Sequence, residues 1–403
     1  MSLSRKGLST LWVYCSIVVI FLSIVVATAT ISPAAATHHT ITDDHPRSLS
    51  TGWVDNPPKS LSHKWTISGV TNMVHAPGVT VAATNNEVFR VNPDDGSRLW
   101  EYSRKDATVC DVQQAWGDVV VIYNPGHGCT DITRLDSETG EYVSQASYAT
   151  DQDQARMVFG NESDLLAVAT PHMVRVLRDE LVTTAEFGQK VDPENPSSVN
   201  RCNIFDVSVG PESFAVAHDC TSTGTGTTHV TVLESKPEDS TEPGTVVDVD
   251  TRTTDSVTIP VVTLAQVQFV TQGVNPTAFT WQIDKDKEEV GSRPVNEWEY
   301  GLGGASFDGI GYVWLVGTTL QQRYGSEDVS QHTHKTVGAS GLPMEIDGRL
   351  LFPTFTGVSL WNPDNGHVTP INFDTPVNTK KISVSGSTVA VLSEGSLIGF
   401  SAS

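Results

Sequence analysis

VAATNNEVFRVNPDDGSRLWEYS, residues 81–103, reads as three β-strands joined by two turns. Val81–Thr84 is an apolar run and Asn85-Asn86 is turn chemistry. Val88–Val91 alternates, and Pro93-Asp94-Asp95-Gly96 turns the chain again before Arg98–Ser103. Proline presets φ near −65° at the first corner, and glycine accepts the positive φ that closes the turn. Most of the remaining chain repeats this phrase more loosely.

Working outward, the next units carry VQQAWG, VVVIYN, ITRLDSETG and YVSQASY at roughly 109–148, then ARMVFG, LLAVAT, MVRVLR and LVTTAEF at 153–187. A fourth, 202–250, has IFDVSVG, FAVAHD and THVTVLES; a fifth, 257–292, has VVTLAQVQFV, TAFTWQID and EEVGS. The sixth holds GYVWLVG and HTHKTVG, the seventh RLLFPT and GVSLWNPDNG, and the last KKISVSG, STVAVLS and SLIGFS. A period of 35–50 residues is that of a β-propeller. The last unit lacks an outer strand, and His63–Ser68 (HKWTIS) precedes the first unit without a sheet of its own. Placing that strand in the last sheet closes a ring and removes exposed edges. The expected fold is therefore all-β, a propeller of about eight four-stranded blades over 61–403. A count of seven stays open because the fourth and fifth boundaries are soft, and a pair of β-sandwiches is the competing architecture.

The first forty residues differ. Arg5 and Lys6 precede LWVYCSIVVIFLSIVVATATI, Leu11 to Ile31, which contains no charge. About 20 apolar residues span a bilayer, whereas a signal-peptide core needs 7–15. The run predicts one transmembrane signal anchor (residues 1–31) with a cytoplasmic N-terminus. Ala27-Thr28-Ala29 and Ala34-Ala35-Ala36 resemble cleavage sites, so secretion after cleavage near Ala29 or Ala36 is the alternative. Residues 32–60, rich in Ser, Thr, Pro and His, read as a flexible tether.

The chain carries a formal net charge of −22; without Arg5 and Lys6, 23 basic groups face 47 acidic ones, net −24. Such a surface repels nucleic acid and anionic lipid. Cys110, Cys129, Cys202 and Cys220 lie beyond the apolar run, an even number suited to an oxidising compartment. Three pairings exist. The hairpin about Gly210-Pro211 sets Cys202 opposite Cys220, and the stretch 125–128 can curl Cys129 toward Cys110, so local pairing is expected.

VFRVNPDDGSRLWEYS resembles the repeat of pyrroloquinoline-quinone-like propellers, in which an Asp-rich turn with Gly precedes an outer-strand Trp. TRLDSETGEYV at 133–143 and SLWNPDNGHV at 359–368 resemble the same turn. The N-terminal span, CDVQQAWGDVVVIY and RCNIFDVSVGPESFAVAHDC resemble uncharacterised actinobacterial membrane-anchored propellers of this type. The resemblance implies the fold and carries no chemistry. Quinone dehydrogenases of the family carry an adjacent Cys-Cys pair and Trp motifs in most blades. This chain has no such pair, and only Trp100 occupies the expected phrase, so no quinone is expected.

Asp94, Asp95, Gly96, Trp100, Asp136, Gly140, Asp364 and Gly366 read as structural turn positions, the carboxylates accepting backbone N–H bonds. His332-Thr-His334 places two imidazoles on one strand face, half of a metal site without a third ligand. Asp284 to Glu289 lacks the ligand spacing of a calcium loop and reads as a solvated turn. Gly301-Leu-Gly-Gly304 reads as a linker between blades. No GxSxG, HExxH or P-loop occurs, so no catalytic residue, cofactor or metal is assigned. The expected role is a non-enzymatic interaction scaffold, a monomeric propeller on the outer membrane face with envelope proteins as partners. An exported ligand sensor or enzyme using the funnel is the alternative.

Overall fold

The computed structural model describes residues 16–18, 36–46 and 53–402, apart from breaks at 54, 77, 149–151, 161–162, 189–201, 221–226, 252, 254–256, 273–275, 284–288, 295–301, 308–310, 317, 324–333 and 380. Eight antiparallel four-stranded blades follow in chain order, at 72–104, 108–147, 156–188, 203–250, 257–294, 302–337, 344–373 and 381–402. The eighth is completed from the other end of the chain. Ser60–Ser68 pairs antiparallel with Ser396–Ala402, from Leu61 opposite Ala402 to Ser68 opposite Ser396. Its start also meets blade 7, in a short parallel contact of Ser60 and Leu61 with Asn372 and Phe373. The run VVTLAQVQFV divides into two strands, Val257–Val262 and Gln266–Thr271, because Thr263 Oγ1 accepts the N–H groups of Ala265 and Gln266 and turns the chain.

Many second and third strands are apolar without alternation because neighbouring blades cover both of their faces. All five residues of Val79–Ala83 are buried, as are the five central residues of Asp118–Asn124. The hydrophobic core accordingly forms layers between blades. Val81, Val88 and Trp100 of blade 1 pack with Val112, Val119 and Leu135 of blade 2, and Trp65 and Leu397 of blade 8 pack with Met73 and Phe89 of blade 1.

Two tryptophans fix adjacent blades by the same contact. Trp65 Nε1 donates to Pro93 O at 3.0 Å, with its ring over Gly96; Trp100 Nε1 donates to Ser137 O at 3.2 Å, with its ring over Gly140. Both glycines have positive φ, +77° and +76°, and leave no room for a Cβ under the indole. Trp65 thus seats the closing strand on the next blade, a role not assigned from the sequence.

The N-terminal region departs from the expected tether. Thr37–Thr40 adds a fifth strand outside blade 1, with Thr37 opposite Arg104 and Thr40 opposite Glu101. The chain beyond it is held by Arg90, almost fully buried, which donates to Asp44 O and Glu138 O at 2.6 Å and to His45 O at 3.0 Å. Backbone pairing to an open strand edge needs no apolar pattern, so a polar THHT segment can occupy it. Of the apolar run 11–31, only Ser16–Val18 lies within the described residues. Among the described residues no helix is long and apolar enough to cross a membrane; the expected span, Leu11 to Ile31, lies almost entirely outside them.

Candidate functional site

The first strands of blades 1 to 6 neighbour one another in succession, and that of blade 8 neighbours that of blade 1, as the innermost strands of a propeller do. Their opening residues gather at one end of the central channel, its mouth. In blades 2 and 4 the innermost strand bulges there, skipping Cys110 between Val109 and Asp111 and Phe205 between Ile204 and Asp206. A bulge re-aims side chains and ends regular pairing. It turns each following aspartate toward the next blade.

The two aspartates make the same bonds. Asp111 Oδ1 accepts from Val112 N at 2.8 Å and its Oδ2 from Met157 N of blade 3 at 2.7 Å. Asp206 Oδ1 accepts from Val207 N at 2.9 Å and its Oδ2 from Ile259 N of blade 5 at 2.7 Å. Blade 1 places Asn72 in the corresponding role, its Oδ1 accepting from Met73 N at 2.9 Å and its Nδ2 donating to Asp111 at 3.1 Å. Lys381 of blade 8 donates to Asn72 Oδ1 at 2.6 Å, and Arg156 of blade 3 pairs with Asp206 and donates to Val207 O at 3.0 Å. Side chains of blades 8, 1 and 2 form one chain of contacts around the mouth, and those of blades 3 and 4 a second.

Burial dominates the electrostatics. It raises the carboxyl pKa of both Asp111 and Asp206, and backbone N–H groups and nearby cations oppose it. Lys381 is lowered by desolvation against the pull of Asp111. Lys381 is exposed at the surface of its strand, yet the protein around it desolvates its ammonium. With Arg156 these groups make two carboxylates and two cations at the mouth of a strongly acidic molecule. The Arg156 side chain is 52% exposed, and Phe205, next to Asp206 in the chain, is 37% exposed.

Both disulfides form as local pairing required, Cys110–Cys129 and Cys202–Cys220, each joining separate strands or loops. In the repeat turns the oxygen at the first turn position belongs to Asn92, Asp136 and Asn362. The N–H groups of Asp94 and Asp364 donate to Asn92 and Asn362 at 3.0 Å, and Glu138 N donates to Asp136 at 2.9 Å. At Asp94 and Asp364 it is the backbone N–H that enters this contact, while the Asp94 carboxylate accepts from Lys64 Nζ at 3.5 Å. Asp95 accepts from Ser97 N and Oγ, which lowers its pKa. Gly96, Gly140 and Gly366 close the turns at positive φ.

His332 and residues 284–288 lie outside the described residues; His334 opens the outer strand of blade 6, opposite Gln322. No three His, Cys, Asp or Glu side chains among the described residues converge to hold a metal ion. Sequence reading missed the mouth residues, although a signal exists. CDV at 110–112 and FDV at 205–207 each place an aspartate before a valine near the start of the first strands of blades 2 and 4.

No protein-family model matches the sequence, and no curated protein matches it. Among solved structures, the chain is similar to the C-terminal WD40 domain of Sif2, with a TM-score of 0.50 and 7% identity over 85% of this chain and 99% of that domain. The β-propeller domain of Myceliophteria thermophila Cps50 (Swd1) has a TM-score of 0.42 and 9% identity, covering 84% of this chain and all of that one. The likeness to the Sif2 domain shows the fold, a β-propeller.

Proposed function

We propose that this protein is a non-enzymatic interaction module whose channel mouth docks a protein partner, held at the outer face of the cytoplasmic membrane by the apolar run 11–31. One observation carries the reading. An exposed aromatic, Phe205, precedes the aspartate that the half-exposed Arg156 pairs with, on first strands that carboxylates bridge between blades. Aromatic and arginine side chains are the usual anchors of protein interfaces, and anchors on rigid elements lose little entropy on binding. Two disulfides support an oxidising, extracytoplasmic location. The two Trp-over-Gly seats support kinship with quinoprotein-like propellers.

The test is quantitative capture from envelope extracts by the tagged full chain, set beside the Phe205→Ala and Arg156→Ala variants. A partner captured by the wild type and depleted at least tenfold in both variants supports the reading. Equal capture by wild type and variants, or none above an unrelated propeller, refutes it. Fractionation of the same cells tests the anchor separately, since a protein docking through its mouth could still be found free of membrane.

A further inference from the structure

Away from the mouth, a cavity of about 510 Å³ opens between blades 3 and 4, within the range of roughly 300–1,000 Å³ usual for small-molecule sites. The outer strand of blade 3, Thr183–Gly188, forms one wall and the last three strands of blade 4 another. The loop 235–244 makes the lip, tied to blade 3 by Glu186 N donating to Ser240 O at 2.7 Å.

Inside, His218 and His229 are direct cross-strand partners with stacked rings 5.8 Å apart, and the Phe187 ring lies 4.7 Å from His218. The hydrogen bonds settle which nitrogen of His218 carries its proton. Asp248 is a carboxylate and can only accept, so the Thr231 hydroxyl donates to it at 2.7 Å. Thr231 Oγ1 then accepts from His218 Nε2 at 2.7 Å. Nδ1 is left as a bare lone pair, buried and without a partner among the described residues. An acceptor left unmet in a buried site is costly, and it keeps the His218 ring sensitive to charge brought into the cavity.

The charges select the kind of ligand. Asp248 exposes about half of its side chain, 48%, with His229 Nδ1 3.3 Å from both oxygens. Glu186 lines the same cavity, held by Arg175 Nε at 2.8 Å. Desolvation, aided by His229, pushes the His218 pKa down to about 4, so the imidazole adds no positive charge of its own at neutral pH. The apolar wall consists of Phe187, Leu233 and the Cys202–Cys220 disulfide. With no convergent metal-ligand set among the described residues, the cavity suits an organic cation over a metal.

We propose that this cavity binds a small organic cation, an amine with a compact apolar body, whose charge faces the half-exposed Asp248 carboxylate beside the neutral His218 ring. The apolar body lies along Phe187 and the disulfide.

The test uses the full chain and benzylamine, with benzyl alcohol and benzoate as neutral and anionic counterparts of one shape. Calorimetry measures affinity, and imidazole ¹⁵N spectra follow His218. Saturable one-to-one binding of benzylamine is expected, at least tenfold weaker in Asp248→Asn, with no binding of benzoate and a moved Nδ1 signal. Because Asp248 is half exposed, that variant retains the fold and keeps the test decisive if His218→Gln fails to fold. Absence of saturable binding, unchanged affinity in Asp248→Asn, an unmoved Nδ1 signal, or tight zinc binding in place of the amine would each overturn the proposal.

Discussion

Replacing Gly140 by alanine tests the seat between blades 1 and 2. A Cβ at Gly140 falls 2.6 Å from Trp100 Cγ and 2.7 Å from Cδ2, and the backbone there has φ +76°. Two separate costs follow. The left-handed backbone costs an L-residue about 1–2 kcal/mol. The clash is an overpacking of about 1–3 kcal/mol, since Trp100 is fully buried and cannot withdraw. Gly140→Ala should therefore lose about 2–5 kcal/mol in the native background. In a Trp100→Ala background the indole is gone and only the backbone cost of about 1–2 kcal/mol remains. The two substitutions should thus couple by about 1–3 kcal/mol. Urea unfolding of the wild type, both single variants and the double variant measures that coupling. An equal cost of Gly140→Ala in both backgrounds would refute the seat, and with it the reading of Trp65 over Gly96.

Other consequences are measurable by similar means. Between pH 6.5 and about 4 the unfolded chain protonates His218 while the native protein does not, so stability falls as pH falls through that window. At about 1.4 kcal/mol per pH unit the loss is about 3 kcal/mol; His218→Phe should flatten it, and an identical pH slope in wild type and variant would contradict the assignment. Each disulfide closes a loop of 18 or 19 residues and contributes about 3 kcal/mol. Cys110, Cys129, Cys202 and Cys220 should resist alkylation in denaturant until reduced, and reaction of any of them beforehand counts against the pairing. Arg90→Met should cost about 3–5 kcal/mol and abolish the hydrogen-exchange protection of Thr37–Thr40, leaving the blades protected; unchanged protection there would show that Arg90 does not hold the N-terminal strand.

The ring was legible because its closure leaves a mark in the sequence, a last unit one strand short and an orphan HKWTIS strand ahead of the first. The disulfides were legible because hairpin register alone brings Cys202 to Cys220. Turn roles were harder to assign. A carboxamide accepts as well as a carboxylate, so place within the turn, not charge, made Asn92 and Asn362 the acceptors. The Thr37–Thr40 strand rests on backbone bonds to an edge, which side-chain pattern does not encode. The mouth and the side cavity depend on residues brought together across blades or strands, Asp111 to Met157 and His218 to His229, and those meetings require register and ring order first.

The docking claim is tested most directly by a photo-crosslinking side chain at position 205, compared in living cells with one at Tyr142, an exposed residue on the outer strand of blade 2. The account predicts a discrete protein adduct from position 205 that is missing from position 142 and weakened by Arg156→Ala. Adducts of the same protein from both positions, or from position 142 alone, would contradict it.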